Sequence, residues 1–441
     1  MSGIPGEDIA GRSPHLDDAV LSNPEHGVAA QTDPRPAPLT TGGLAHREPF
    51  TIVCVSPQLW DAELPTNRQQ IMRRAAGFGH EIVFVETAHF LGRDLWRLVR
   101  GPRGSGKTFF RRLLVGDRVA ERITVRKAPW LAPWARRVRW ANWLDTTLTR
   151  AVVRAIVRTT DGPVVLWLYD AASSSLVGRC GEAAAVYDCV DDHAAAAGGN
   201  PRVRALVADR DERAARSATV VITTTKTLYE RHLAANPRTY LVPNVGDYRH
   251  FAPAASRGIA AADVAALPRP VLGFTGNLVA WKVDFELLIE AARRRPHWSL
   301  VLVGPAGADA LEQLAHLTAL PNVHHLGSRP YDRVPEYVAG FDVGLCPYLW
   351  NAYARSVFPL KLYEYLAAGK PVVASGVPDV AGMEPDVRLV RGADEFVLAV
   401  EDVLALDGED DRARRMTLAA ANTWESRTLR ILELVRPHVE S

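Results

Sequence analysis

Short apolar runs separated by helix-length segments recur from residue 51 to residue 375, and this alternation limits the folds open to the chain more than any other feature. TIVCVS (51–56), HEIVFVE (80–86), PVVLWLYD (163–170), AAVYDCVDD (184–192), ATVVITTT (218–225) and TYLVPN (239–244) read as short buried strands. Helical patterns separate most of them, as in TNRQQIMRRAAGFG (66–79), which stops at glycine. Strands this apolar are covered on both faces, and strands joined through helices run parallel with right-handed crossovers. A second series opens with VLGFTGNL near residue 271 and continues through WSLVLVGP, NVHHLG, FDVGLCPY and PVVAS, with helices over 308–318, 331–339 and 359–368. The predicted fold is therefore α/β, with two Rossmann-like doubly wound domains, 49–251 and 270–441, facing a central cleft. Residues 252–269 have the Ala- and Pro-rich composition of a linker, and the last helix is a candidate to cross back to the first domain. Ligands of such sheets gather at the carboxyl ends of the strands, which puts function in the cleft.

Composition adds boundaries. The 441 residues are enough for two cores, whereas residues 1–48, rich in Pro, Gly and Asp without periodicity, read as a disordered tail. The four cysteines (Cys54, Cys180, Cys189, Cys346) are scattered without C-x-x-C pairing and read as reduced thiols of a cytosolic protein, not as a metal site or disulfide frame. No apolar run approaches the roughly 18 residues of a membrane span, and no basic-then-apolar leader opens the chain. The net charge of +2 conceals an asymmetry: residues 93–158 hold 17 Lys or Arg against 4 acids, a balance of +13 that leaves −11 elsewhere. The same stretch carries five of the 11 tryptophans (Trp96, Trp130, Trp134, Trp140, Trp143). Arginine alternating with tryptophan fits an anionic membrane surface, so the chain is expected on the cytosolic face of a membrane as a peripheral protein, with no nucleic-acid partner.

GPRGSGKT (101–108) matches the phosphate-loop pattern at Gly101, Gly106, Lys107 and Thr108. That pattern cradles phosphate only between a buried strand and a helix. The preceding FLGRDLWRLVR places Arg93, Arg97 and Arg100 among Leu91, Leu95, Leu98 and Val99, an amphipathic helical pattern. The motif is therefore read as a solvated basic loop without ATP hydrolysis.

SVFPLKLYEYLAAGKPVVAS (356–375) is the stronger signal. Pro359 opens a helix where its missing N–H costs nothing, Lys361 and Glu364 follow one turn apart, Gly369 stops the helix, and a buried strand follows. This block resembles the P-L-K-x-x-E-x-x-A-x-G-x-P-V-V signature of GT-B fold glycosyltransferases of the group-1, family-4 type, and the resemblance extends over most of residues 50–440. LVPNVGDYRHF (241–251) is similar to the segment closing that family's first domain, and GFTGNLVAWKVDFELLIEA to the loop, lysine and helix opening its donor domain. HLGSRPYDRVPEYVAGFDVGLCPY resembles its base-binding region. VYDCVDD is similar to a variant in transferases of cell-envelope polysaccharide synthesis, including the teichuronic-acid type.

The resemblance implies a nucleotide-sugar donor site built from Gly276, Asn277, Lys282, Gly327, Ser328, Arg329, Arg355, Ser356, Pro359, Leu360, Lys361 and Glu364. Cleavage of a sugar–nucleotide bond leaves charge on a diphosphate, and this fold class generally works without a tightly held metal. Fixed cations and helix N-termini then carry that charge. Lys282 and Lys361, two of only six lysines, suit the task, and Glu364 matches the family glutamate that accepts the ribose hydroxyls. Ser356 stands where the family often carries a second glutamate, which contacts the sugar; the family's usual outcome is retaining transfer of a hexosyl group.

In the first domain Asp191, Asp192 and His193 follow a predicted strand and face the cleft. A carboxylate there can accept the acceptor's proton or steady a positive anomeric centre. SPQLWDA (56–62), with Asn67 and Arg68, is expected to line the acceptor side. The reading is a glycosyltransferase moving a sugar from a nucleotide diphosphate to a glycan or lipid-linked acceptor in cell-envelope or exopolysaccharide synthesis, with no cofactor. A nucleotide-sugar 2-epimerase and a non-catalytic nucleotide-sugar binder share the fold and remain the alternatives.

Overall fold

The computed structural model describes residues 48–62, 65–87, 111–113, 115–128, 139–196 and 200–440. The tail, GPRGSGKT and much of the Arg- and Trp-rich stretch lie outside the described residues.

Two sheets organise the chain. The first holds eight strands in the order β3-β4-β2-β1-β5-β6-β7-β8, with β1 at Thr51–Ser56, β2 at Glu81–Glu86, β3 at Asp117–Ala120 and β4 at Ile123–Lys127. The remaining strands are β5 at Val164–Leu168, β6 at Ala184–Cys189, β7 at Val220–Thr223 and β8 at Thr239–Leu241. All neighbours run parallel except the β3–β4 pair. The second sheet is wholly parallel, β11-β10-β9-β12-β13-β14, with β9 at Val271–Thr275, β10 at Ser299–Val303 and β11 at Val323–Gly327. Its other members are β12 at Val343–Pro347, β13 at Val372–Ser375 and β14 at Val387–Val390.

Each sheet reverses its winding once. β1 lies between β2 and β5, and β9 lies between β10 and β12. A crevice opens at such a switch point because the flanking connections leave on opposite faces. Gly276 and Lys282 follow β9, at the switch point of the second sheet.

Burial explains why the strands read so clearly. Every residue of β1, β5, β6, β9, β10 and β12 is buried, as covered parallel strands require. The second core gathers Phe274, Leu300, Val301, Phe341, Tyr365 and Val373, and it also takes in Ala255, Ala261 and Val264. The stretch 252–269 thus contains the end of the helix Tyr248–Ser256 and the turn of helix Ala262–Ala265, both seated on the second half. The C-terminal helix Trp424–Val435 sends Trp424, Ile431, Leu432 and Val435 into the core of the first half. Its Arg427 is fully buried beside Asp188 of β6, at 3.5 Å, and also donates to the Pro243 carbonyl at 3.0 Å. All four cysteines are buried and free.

Candidate active site

The site helix is Leu360–Ala367, with Pro359 as its N-cap residue. It ends where Gly369 takes a φ of 73°, so that the Lys370 N–H reaches the Tyr365 carbonyl and the Gly369 N–H reaches that of Leu366, both at 2.9 Å. This closing pattern favours glycine at its left-handed position. Tyr365 is fully buried, and its hydroxyl oxygen accepts the Thr275 N–H at 2.8 Å. One bond therefore pins the helix to the carboxyl end of β9. Leu360 packs instead on the core of the first half.

With the helix pinned, Lys361 and Glu364 are half-buried, and the Lys361 ammonium stands beside the turn after β9. The Lys361 ammonium lies 3.7 Å from the centroid of the Phe274 ring and 5.4 Å from that of Tyr348. Lys282, in the loop after β9, lies over the same Tyr348 ring at 4.6 Å. That loop is fastened to the end of β12, since the Asp284 N–H donates to Pro347 and the Leu349 N–H to Lys282. Gly276 has a φ of 123°, and a Cβ there would stand 2.8 Å from the Lys361 ammonium nitrogen. Only glycine gives the lysine this berth.

Crowding two cations in apolar walls has an electrostatic cost. Burial, and then the charge of Lys282, pushes the Lys361 ammonium down to about 7. Burial lowers Lys282 as well, with Asp191 of the first half opposing the shift. Burial also raises Glu364 to about 7, against the pull of Lys361 and with a push from Asp247. Three ionisable groups thus stand where an anion with a sugar hydroxyl pair would relieve them.

The first half supplies Asp191, just beyond β6. Its carboxylate is half-buried and makes no hydrogen bond or ion pair among the described residues. Burial raises it, while His193, Lys282 and Arg68 draw it down. Asp192 is placed differently. Its Oδ1 accepts the N–H groups of Ala194 and Ala195 at 3.0 and 2.9 Å, and its Oδ2 accepts from Arg231 at 2.6 Å. Burial pushes this carboxyl up, but the Arg231 bond and the two N–H bonds hold it below the usual range. His193 donates its backbone N–H to the Asp191 carbonyl. Behind this turn a buried polar cluster steadies β6, with the Tyr187 hydroxyl donating to Asp211 and His232 at 3.4 Å from the same carboxylate.

Other predicted residues occupy less central places. Asn277 and Ser328 are exposed, and Gly327 ends β11 in a left-handed conformation with φ 71°. Arg329 commits its donors to the Tyr337 hydroxyl at 2.6 Å and to Asp263 at 3.3 Å. Arg355 is exposed on the single turn Ala354–Ser356, whereas Ser356 is fully buried with its hydroxyl 3.5 Å from the Ala352 carbonyl. Tyr353 reaches toward Asp191 and Asp192 and packs edge-on against Trp281.

Phe274, Tyr348, Asp247, Tyr331 and Tyr353 all border the cluster, and sequence reasoning did not single them out. An aromatic ring closing an apolar strand looks the same whether it fills a core or floors a cleft. A relay of two hydrogen bonds, the second of which crosses between the halves, ties them beside the site. The Asn67 amide donates to Asn244 at 2.7 Å, and Asn244 donates in turn to the Phe358 carbonyl at 2.9 Å. On the far side Asp379 accepts the Lys226 N–H at 2.6 Å, at the start of the helix Lys226–Leu233.

Comparison with known proteins agrees with the fold. Residues 269–406 match the family model described as glycosyl transferases, group 1. The teichuronic acid biosynthesis glycosyltransferase TuaH of Bacillus subtilis is 38% identical over 159 residues, which cover 35% of this chain and 40% of TuaH. The chain therefore aligns with less than half the length of that relative. The fold is similar to sucrose-phosphate synthase from Thermosynechococcus elongatus, with a TM-score of 0.65 and 16% identity over 88% of this chain and 98% of the other. It is also similar to Anabaena Alr3699/HepE in complex with UDP and glucose, with a TM-score of 0.60, 15% identity and coverage of 87% and 99%. An E. coli structure bound with UDP-2-fluoro glucose gives 0.63, 12% identity and coverage of 87% and 98%.

Proposed function

From a chain whose residues 269–406 form a group 1 glycosyltransferase domain within a GT-B fold, we propose a glycosyltransferase that moves a sugar from a nucleotide diphosphate to a glycan or lipid-linked acceptor. The observation that carries the reading is the convergence of Lys282, Lys361 and Glu364 at the switch point of the second sheet. The diphosphate lies between the two ammonium groups, which stabilise the charge that develops on it as the sugar leaves. Glu364 accepts the ribose hydroxyls. No metal is needed for this step when two lysines are held beside the leaving group, and the UDP-containing neighbours support a nucleotide-sugar donor.

Asp191 takes the role nearest to the reacting sugar. It is a cleft carboxylate free of structural bonds, opposite Lys282, and suits either proton acceptance from the acceptor hydroxyl or stabilisation of a positive anomeric carbon. Retaining transfer belongs to the same proposal and is read from the anomeric configuration of the product by NMR. A role in cell-envelope polysaccharide synthesis draws support from the TuaH alignment.

Peripheral attachment to an anionic membrane is also proposed. Trp143, Leu144 and Leu148 are exposed on the helix Arg139–Arg158, within the basic stretch, and no helix of the described residues is long and apolar enough to cross a membrane. Flotation with anionic vesicles at low salt, reversed by added salt, is the expected result. Protein left in the soluble fraction removes the membrane from the proposal.

A panel of nucleotide sugars tests the reaction. Transfer, or slow hydrolysis, releases a free nucleoside diphosphate. A new nucleotide sugar without release identifies a 2-epimerase, and binding with neither product identifies a non-catalytic module.

A further inference from the structure

The first half holds a buried cation that has no ion pair among the described residues. Arg68 is only 8% exposed, its Nε has no hydrogen-bond partner, and no ion pair to its guanidinium exists among the described residues. It lies 5.0 Å above the ring of Tyr169, immediately after β5, and its charge is felt by Cys54 of β1 and by Asp191 after β6. Tyr169 and Asp191 lie beyond the carboxyl ends of β5 and β6, on one side of the switch point at β1. Arg68 therefore lies at the cleft, across from Lys282.

Its place on the chain sharpens the anomaly. Arg68 is the second residue of α1, Asn67–Gly77, whose first turn contains no acid. A helix N-terminus carries partial positive charge, so a guanidinium there adds like to like. The backbone N–H groups of Asn67 and Arg68 have no acceptor among the described residues. Asn67 uses its side chain to hold Asn244, which fixes the first turn in place. An unpaired buried guanidinium and a free helix N-terminus are each unfavourable alone, and one bound oxyanion satisfies both.

We propose that Arg68 and the N-terminus of α1 form an oxyanion-binding subsite, which receives a phosphate or carboxylate group carried by the acceptor. This rests on the glycosyltransferase reading, and it deepens that reading by giving the acceptor a charge. Lys282 and Lys361 serve the diphosphate of the donor from the second half, so a substrate with an anion of its own is held by a separate cation on the first half. The planar guanidinium fork binds either oxyanion through two donors, and the ring of Tyr169 beneath it sets the plane of the fork.

The test uses the full chain. UDP, GDP and ADP are first titrated calorimetrically, and the tightest of them is added to saturation to fill the donor site. Inorganic phosphate, pyrophosphate and glucuronate are then titrated into wild type, Arg68→Gln and Arg68→Lys. At least one oxyanion is expected to bind wild type, with affinity about tenfold weaker in Arg68→Gln and an intermediate loss in Arg68→Lys. Preference for phosphate assigns a phosphorylated acceptor, and preference for glucuronate assigns a uronate. Thermal melting shows that each variant is folded before titration. Equal affinity in Arg68→Gln, or no binding of any probe to wild type, overturns the subsite while donor binding leaves the transferase reading standing. If no nucleoside diphosphate binds, the transferase reading falls instead. The oxyanion titration then compares Arg68→Gln with Lys361→Ala on the free protein: a loss confined to Arg68→Gln upholds the subsite, and any other pattern overturns it.

Discussion

Lys282 and Lys361 share one aromatic ring, their ammonium groups lying 4.6 and 5.4 Å from the centroid of Tyr348. The two lysines come from different elements, one from the loop after β9 and the other from the site helix. A ring quadrupole attracts both cations weakly and leaves their mutual repulsion in force. Their proximity is thus an arrangement that awaits negative charge.

Removal of either partner at this centre is expected to weaken nucleotide binding without unfolding the protein. Lys361→Ala and Glu364→Ala should each lose about 1.5–3 kcal/mol of affinity for the matching nucleoside diphosphate, the range for a hydrogen bond to a charged group. Titration calorimetry measures the loss, and a melting curve controls for folding. Unchanged affinity in both variants would move the donor site away from this helix.

The pH dependence of donor binding follows from the same two residues. An anion needs Lys361 charged, and the free protein holds its pKa down to about 7, so affinity is full below that pH and falls as pH rises through it. The ribose hydroxyls need Glu364 ionised, and its carboxyl is raised to about 7, so affinity is full above that pH and falls as pH drops through it. Binding of a nucleotide sugar should therefore peak near neutrality and lose up to about tenfold per pH unit on either side. Lys361→Arg should flatten the alkaline limb, and Glu364→Gln the acid limb. A profile level from pH 5.5 to 8.5 in the wild type would be incompatible with this assignment.

The link between the halves should be sensitive at Asn244. It joins Asn67 of α1 to the Phe358 carbonyl just before the site helix, and all of its contacts are buried. Asn244→Ala leaves an amide and a carbonyl without partners, at a cost of about 1–3 kcal/mol for each buried group. A lowered melting temperature together with weaker donor binding is expected. A variant as stable as wild type would mean that water replaces the bridge.

The fold was legible because its strands are buried on both faces. Continuous apolar runs such as VVLWL and SLVLV have no competing reading at that length when helices separate them. Lys361 and Glu364 stood out through the resemblance of PLKLYEYLAAGKPVV to a family signature, on a helix opened by Pro359 and closed by Gly369. What the sequence hid is what depends on distant pairing. Tyr348 closes β12 like any core aromatic, and only the approach of two lysines from other elements makes it a floor for cations. Arg68 is expected on the acceptor side, but the ring of Tyr169 beneath it lies about a hundred positions later and leaves no local signal. Exposed Arg355 and buried Ser356 are neighbours in sequence whose surroundings differ because one turn points them apart.

Asp191 and Asp192 are indistinguishable as a dipeptide, and their partners separate them. Asp192 accepts two backbone N–H groups and an Arg231 donor, so it closes the start of the short helix His193–Ala196 and ties it to the helix Lys226–Leu233. Asp191 has no such duties and faces Lys282 and Arg68. Asp192→Ala should destabilise the protein by about 1–2 kcal/mol, the cost of a lost cap and a half-exposed ion pair, and reduce turnover only as far as the turn loosens. Asp191→Asn should leave the melting temperature within about 0.5 kcal/mol equivalent of wild type and lower kcat by about 100-fold or more, the scale of a lost general base. Donor affinity should be nearly unchanged in Asp191→Asn, so the deficit appears in kcat and not in the binding of the nucleotide sugar. If Asp191→Asn turns over normally while Asp192→Asn is inactive yet fully stable, the roles are reversed, and the bonds to Ala194, Ala195 and Arg231 orient a reacting carboxylate.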